Sequence, residues 1–251
     1  MAVPDKVTAW VRPLALAAVA ASLGALLLMA FSGFGTRFGF WHFRTGFAIL
    51  KWSAVLGLVA ALLAALAAFC AGKTRRYGAL LAALLSFGLG VAAFAVPYSW
   101  KLKAGQLPRI HDITTDVDHP PPFVALAPER NGEVAYPGAS VAAQQLRAYP
   151  ELKTVVLGVP MARAYQAALE AAREMGWQIA AAVPDAGRIE ATDTTFWYGF
   201  KDDIVIRVSP AGDRSLIDVR SASRVGISDV GTNAQRIRTF LAKLTQHPAP
   251  R

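Results

Sequence analysis

Three long apolar stretches, residues 14–31, 52–71 and 78–96, dominate the first hundred positions, and none contains a charged residue or a histidine. A helix rising about 1.5 Å per residue needs roughly 18 to 20 such positions to cross a hydrocarbon core of about 30 Å. Each stretch meets that length, so the pattern predicts three transmembrane helices within residues 1–100.

The pattern changes twice beyond that point. Residues 101–150 carry Pro108, Pro120, Pro121, Pro122, Pro128, Pro137 and Pro150, too many for long helices, and are expected to form a largely extended connector. Residues 151–246 show regular periods. A short β-rich run at 152–159 ends at Pro160, and Ala164, Tyr165, Ala168, Leu169 and Ala172 then mark one face of a helix over 161–175, with Gly176 at its end. Strands are predicted at 177–183, 188–198, 203–209 and 215–225, separated by short turn sequences such as Pro184-Asp185-Ala186-Gly187 and Pro210-Ala211-Gly212-Asp213. A last helix over 232–245 aligns Ile237, Phe240, Leu241 and Leu244. Short turns imply antiparallel neighbours. The expected fold class is therefore α+β: a three-helix transmembrane segment followed by a two-layer α/β sandwich with a four-stranded antiparallel sheet.

Charge divides the chain at the same boundary. The formal charge of +9 resolves into 11 basic residues against Asp5 alone up to Ile110, and 15 basic against 16 acidic residues from His111 onward. The excess of positive charge belongs to the apolar half, which points to the lipid bilayer as a partner and away from nucleic acid, whose binders carry such charge on a folded surface. One cysteine, Cys70, excludes a disulfide framework.

Small residues recur four apart within the spans: Ala17, Ala21 and Ala25, then Gly57, Ala61 and Ala65, then Ala82, Ser86 and Gly90. Such stripes let helix backbones approach closely in lipid. The uncharged spans read as an anchor, with no intramembrane proton or ion path. Counting basic residues on the two sides leaves orientation undecided. The compact Lys73-Thr74-Arg75-Arg76 turn favours a cytoplasmic location for itself, which puts the C-terminal domain on the extracytoplasmic side of a bacterial inner membrane.

Two polar groupings are candidates for chemistry. In the connector, His111, Asp112, Asp116 and His119 lie within nine positions and supply ligand types suited to zinc or another divalent ion. Their spacing matches no usual metal arrangement, and Asp and Thr near prolines are also the material of Asx-turns. In the strands, Arg207, Asp218, Arg220 and Arg224 alternate with Ile204, Ile206, Val208, Ile217, Val219 and Val225, so they share the face turned away from the helices and Val225 is expected on the helix-covered face. That face is expected to be solvated and laced by cross-strand ion pairs, with ligand binding as the alternative.

The passage from Arg220 to Ile237, RSASRVGISDVGTNAQRI, resembles the R-S-x-S-R-x-G-x-S-D-x-G-x-N-x-x-R-I signature of the domain-of-unknown-function 1499 (DUF1499) family. Residues 196–208, with the Asp202-Asp203 pair, and residues 110–116 are also similar to parts of that family. The resemblance implies a bacterial membrane protein with a small α+β domain and assigns no activity. On the residues themselves, Gly226 and Gly231 allow tight turns and Ser228 or Asp229 can cap the final helix. If Arg220, Arg224 and Arg236 converge there, they form with Ser223, Ser228, Asp229 and Asn233 a pocket for a phosphate, carboxylate or lipid headgroup. A capping and salt-bridge network that locks strand to helix is the competing reading.

Two classes of function remain. One is a non-catalytic membrane-presented module binding an anionic small molecule, a lipid headgroup or an envelope protein, with no cofactor. The other is a cell-envelope hydrolase or transferase, metal-assisted through His111, Asp112, Asp116 and His119. No nearby histidine serves Ser228 as a base, since His247 sits in the terminal tail.

Overall fold

The computed structural model describes residues 5–246 and divides by internal contacts into two compact units. The first holds the chain up to Gly105 together with Phe196–Gly199, and the second holds Gln106–Thr195 and the chain from Phe200 onward. His247 lies outside the described residues.

In the first unit, α1 (Asp5–Arg37), α2 (Phe43–Lys73) and α3 (Tyr77–Gln106) follow the three apolar stretches and extend past them at both ends. All three are long and apolar enough to cross a membrane. Small residues line their contacts, although the stripes run with mixed spacings of three and four. Ala15, Ala18, Ser22 and Ala25 are buried on α1, whereas Ala17 is exposed, and Ala65 of α2 is likewise exposed beside buried Ala61 and Ala64. A turn of 3.6 residues rotates a strict four-residue repeat off the contact line. The approach of α2 and α3 depends on glycine: a Cβ on Gly57 would lie 2.8 Å from Ala93 Cβ and 2.9 Å from the Gly90 carbonyl oxygen. The Phe196–Gly199 segment of this unit is held by Trp197 Nε1–H donating to Ala30 O at 3.1 Å and Tyr198 O–H donating to Ser32 Oγ at 3.2 Å.

The second unit is built on an antiparallel sheet. The strands β3 (Gln178–Val183), β4 (Arg188–Thr194), β5 (Lys201–Ala211) and β6 (Arg214–Ser223) form the expected meander. The sheet nevertheless has six strands, not four. Two three-residue strands, β1 (Asp112–Thr114) and β2 (Val155–Leu157), both pair with the far edge of β6. A three-residue strand inside a polar, proline-rich segment has no periodicity to detect, and β1 is fixed instead by its pairing of Asp112 with Ala222 and Thr114 with Arg220. The connector also contains a helix, α4 (Ala139–Ala148), fitted between Pro137 and Pro150. From α4 the buried Gln145 amide both accepts from Thr114 N at 3.0 Å and donates to Thr114 O at 2.6 Å, standing in for a further strand on the β1 edge.

Helices α5 (Met161–Glu174) and α6 (Thr232–Gln246) cover one sheet face. The core there joins Ala164, Tyr165, Ala168 and Ala172 of α5 and Ile237, Phe240 and Leu244 of α6 to Ile204, Ile206, Ile217 and Val219, with Trp177 stacked on Phe240 at 5.4 Å. The opposite face is not solvated. Residues 115–138 lie across it as a strap and bury Phe123 and Leu126 against Val205 and Ala222. Three successive strap amides, Val124, Ala125 and Leu126, donate to the Glu190 carboxylate at 3.0, 2.9 and 2.9 Å, and that side chain has no exposure. A buried carboxylate is tolerable only with its lone pairs satisfied, and here they fasten loop backbone to sheet.

Candidate functional site

The candidate residues occupy the end of β6, the loop after it and the start of α6, and their placement follows from strand alternation. Successive residues on a strand point to opposite faces, so Arg220 and Arg224 stand on the strap side while Ser221 and Ser223 stand on the helix side. The adjacent pair Asp202-Asp203 is split in the same way and supplies a carboxylate to each side. The three arginines therefore sit on two faces of one sheet.

On the strap side, Arg220 makes a two-pronged bond to Asp112, Nε to Oδ1 at 2.9 Å and Nη2 to Oδ2 at 2.8 Å. It also donates to Pro121 O and Val134 O at 3.2 and 3.1 Å. Its guanidinium lies 4.7 Å from the centre of the Phe123 ring, and Arg130 lies 4.5 Å from that same ring. Arg130 donates to Asp203 at 3.0 Å, and Arg224 binds Asp203 with both Nε and Nη2 at 2.9 Å while reaching Glu129 with Nη1 at 3.0 Å. Asp203 and Glu129 thus offset Arg130 and Arg224. The Arg224 side chain is 14% exposed against 2% for Arg220, so of these two it is the one with access to solvent.

On the helix side, Arg236 donates to Asp202 at 2.6 Å, to Asp193 at 2.9 Å and to Ser221 Oγ at 3.2 Å. Asn233 is fully buried, donates from Nδ2 to Ser223 Oγ at 3.0 Å and His111 O at 2.9 Å, and accepts at Oδ1 from Ser221 and Arg236. Asp229 caps α6, accepting from Gly231 N at 2.9 Å and Asn233 N at 2.6 Å. Ser228 Oγ accepts from Val230 N at 3.3 Å. Burial pushes the Asp229 carboxyl above the ordinary aspartate value, and the two capping amides only partly counter it. Ser223, Asn233 and Arg236 are hence one hydrogen-bonded cluster, Ser228 and Asp229 a cap beside it, and Arg220 and Arg224 belong to the other face.

The connector residues are dispersed. Asp112 is spent on Arg220. Asp116 accepts from Asp118 N at 3.1 Å and His119 N at 2.9 Å as an Asx-type turn, and from Arg207 Nη2 at 2.9 Å. Burial opposes ionisation of Asp116, yet these donors and the Arg207 charge hold its carboxyl below the usual value. Arg207 also binds Asp218 at 2.7 Å and donates to His119 O at 2.9 Å. His111 contributes its carbonyl to Asn233, and its buried Nδ1 has no hydrogen-bond partner. Among the described residues no three His, Cys, Asp or Glu side chains are grouped to hold a metal ion.

Arg130, Glu190, Asp193 and the Asp202-Asp203 split carry this site without having stood out in the sequence as parts of it. The signal was present for Glu190, a lone acid between Ile189 and Ala191, which alternation places on the polar face. Nothing local marks Arg130, because its partner Asp203 is 73 positions away. Chemically the arrangement is a charge-balanced network in which an incoming anion must compete with carboxylates already in place. Its accessible rim is Arg224, Glu129 and the loop of Val225, Gly226 and Ile227, all three of which are exposed.

A family model described as a protein of unknown function (DUF1499) matches residues 112–244, more than half of the chain. The crystal structure of TTHA0849 from Thermus thermophilus is 12% identical, with 37% of this chain and 92% of that chain covered at a TM-score of 0.24, too low to bear on the fold or the site. No curated protein matches the sequence.

Proposed function

The chain belongs to the DUF1499 family, and from that premise we propose that it is a membrane-anchored, non-catalytic binding module for an anionic ligand or lipid headgroup, held at the surface of a bacterial inner membrane. The module faces the extracytoplasmic side, with the Lys73-Thr74-Arg75-Arg76 turn inside, in keeping with the difficulty of translocating a compact basic turn.

The observation that carries this reading is the engagement of the polar groups. Ser228 and Asp229 serve the backbone of the α6 start, and Asp112 and Asp116 are each committed to an arginine. Groups with those duties stabilise a fixed shape and leave no paired nucleophile and base in place. Arg224 is the ligand contact, since its side chain is partly exposed and its charge is shared between Asp203 and the exposed Glu129. Arg220, Ser223, Ser228, Asp229, Asn233 and Arg236 support it by fixing β6 and the start of α6.

Mass spectrometry of lipids and small molecules copurifying with the detergent-solubilised full chain tests the proposal. A bound anion that is present in the parent and lost in Arg224→Ala supports it. The same anion retained at parental level in Arg224→Ala removes Arg224 from the site, and a parent that carries no anion sinks the binding role.

A further inference from the structure

The exposed apolar loop after β6 has a specific place along the chain. Val225 is 45% and Ile227 63% exposed, separated from the three buried residues that end β6 by the half-buried Arg224 alone, and Gly226 between them turns the backbone at a φ of +97°. Alternation along the strand had assigned Val225 to the core. It leaves because β6 ends at Ser223, and Arg224, anchored on Asp203, directs the chain outward.

This loop is tied to the segment that immediately follows α3. A Cβ on Gly231 would lie 3.1 Å from Leu107 Cδ1, Asp229 N donates to Ile110 O at 3.3 Å, and Asn233 Nδ2 donates to His111 O. Leu107 is the first residue after the end of α3 at Gln106. Within α3 the apolar stretch gives way at Tyr98, Trp100, Lys101 and Lys103, the aromatic and basic residues that mark a water–lipid boundary. From Trp100 to Leu107 a helix climbs about 10 Å, comparable to the roughly 5–8 Å of headgroup region on each side of a bilayer. Chain continuity therefore keeps the residues to which the loop is tied within about 10 Å of that boundary.

We propose that Val225, Gly226 and Ile227 form a membrane-contact loop, which inserts its two aliphatic side chains among the lipid headgroups of the bilayer that α1, α2 and α3 cross. The contact deepens the proposed function and rests on it, because it gives the membrane-held module a second point of attachment. Lys101, Lys103 and Arg109 attract an anionic lipid surface beside it. Two aliphatic side chains add weak affinity alone, and the covalent tether supplies the effective concentration that makes such a contact persist.

The test uses the full chain with Cys70→Ala in lipid nanodiscs that contain headgroup spin-labelled phospholipid. A polarity-sensitive fluorophore is attached at Ile227→Cys, and for comparison at Asp213→Cys in the turn at the other end of β6, also an exposed site. Several-fold stronger quenching at position 227 than at 213 is expected, and equal quenching at both positions overturns the contact. Failure of this contact is separable from failure of the binding role. Equal quenching with an anion still retained through Arg224 removes the lipid contact alone, whereas strong quenching with no retained anion sustains the contact and removes the ligand.

Discussion

Replacing Arg220 with methionine separates the work of its ion pair from that of its volume. The side chain is 2% exposed and its partner Asp112 is 4% exposed, so Arg220→Met leaves a carboxylate buried without its counter-charge. Loss of one partner of a buried pair costs about 3–5 kcal/mol. The carbonyls of Pro121 and Val134 also lose a donor, each adding up to about 1 kcal/mol where water does not replace it. With a urea dependence of roughly 2 kcal/mol per molar, the unfolding midpoint of the second unit falls by about 2 M. Amide exchange of the β5 and β6 peptides, followed by mass spectrometry across a urea series on the full chain in mild detergent, reads that unit apart from the helices. Adding Asp112→Leu should recover a large part of the loss, because the unpaired charge has gone. A midpoint for Arg220→Met within the equivalent of about 0.5 kcal/mol of the parent would refute the claim that buried Arg220 holds β1 and the strap to β6.

Four further outcomes follow from the same contacts. Glu190→Gln turns an amide N–H₂ toward backbone donors, and we expect exchange at Val124, Ala125 and Leu126 to accelerate at least about tenfold, read by site-resolved exchange. The Asp116 carboxyl titrates below its ordinary value of 3.8 in the folded protein, so its stabilisation is complete above that value and lost as pH falls through the folded pKa; Asp116→Asn should flatten this acid limb of a stability–pH curve. Asp229 is raised above 3.8, so its contribution has the opposite sign, present below that value and lost as pH rises through the folded pKa, and Asp229→Asn should abolish that slope while an amide oxygen still caps α6. In the helical unit Gly57→Leu must displace Ala93 and the Gly90 backbone, and thermal unfolding in detergent should show a loss of about 1–3 kcal/mol.

Elements whose residues are periodic and mutually close along the chain could be read directly. The three spans, α5, α6 and the meander from β3 to β6 fall near their expected places, because apolar period and turn chemistry are local properties. The identity of the residues on the polar sheet face was equally legible, since Arg207 and Asp218 are register partners in β5 and β6. The fate of that face was not, because the strap that buries it is polar, proline-rich and without period.

By itself the sequence determined that this protein is an apolar three-helix segment followed by an α+β domain, and that two strands of the domain place Arg207, Asp218, Arg220 and Arg224 on one side. Only the tertiary structure decided what those charges do. It brought Asp112 to Arg220 and Arg130 to Asp203 across 108 and 73 positions, and it divided Arg224 from Arg236 by the thickness of the sheet. Pairings of that kind depend on where the three-residue β1 and the aperiodic strap come to rest, which is set by long-range burial and hydrogen bonding and leaves no trace in the local pattern.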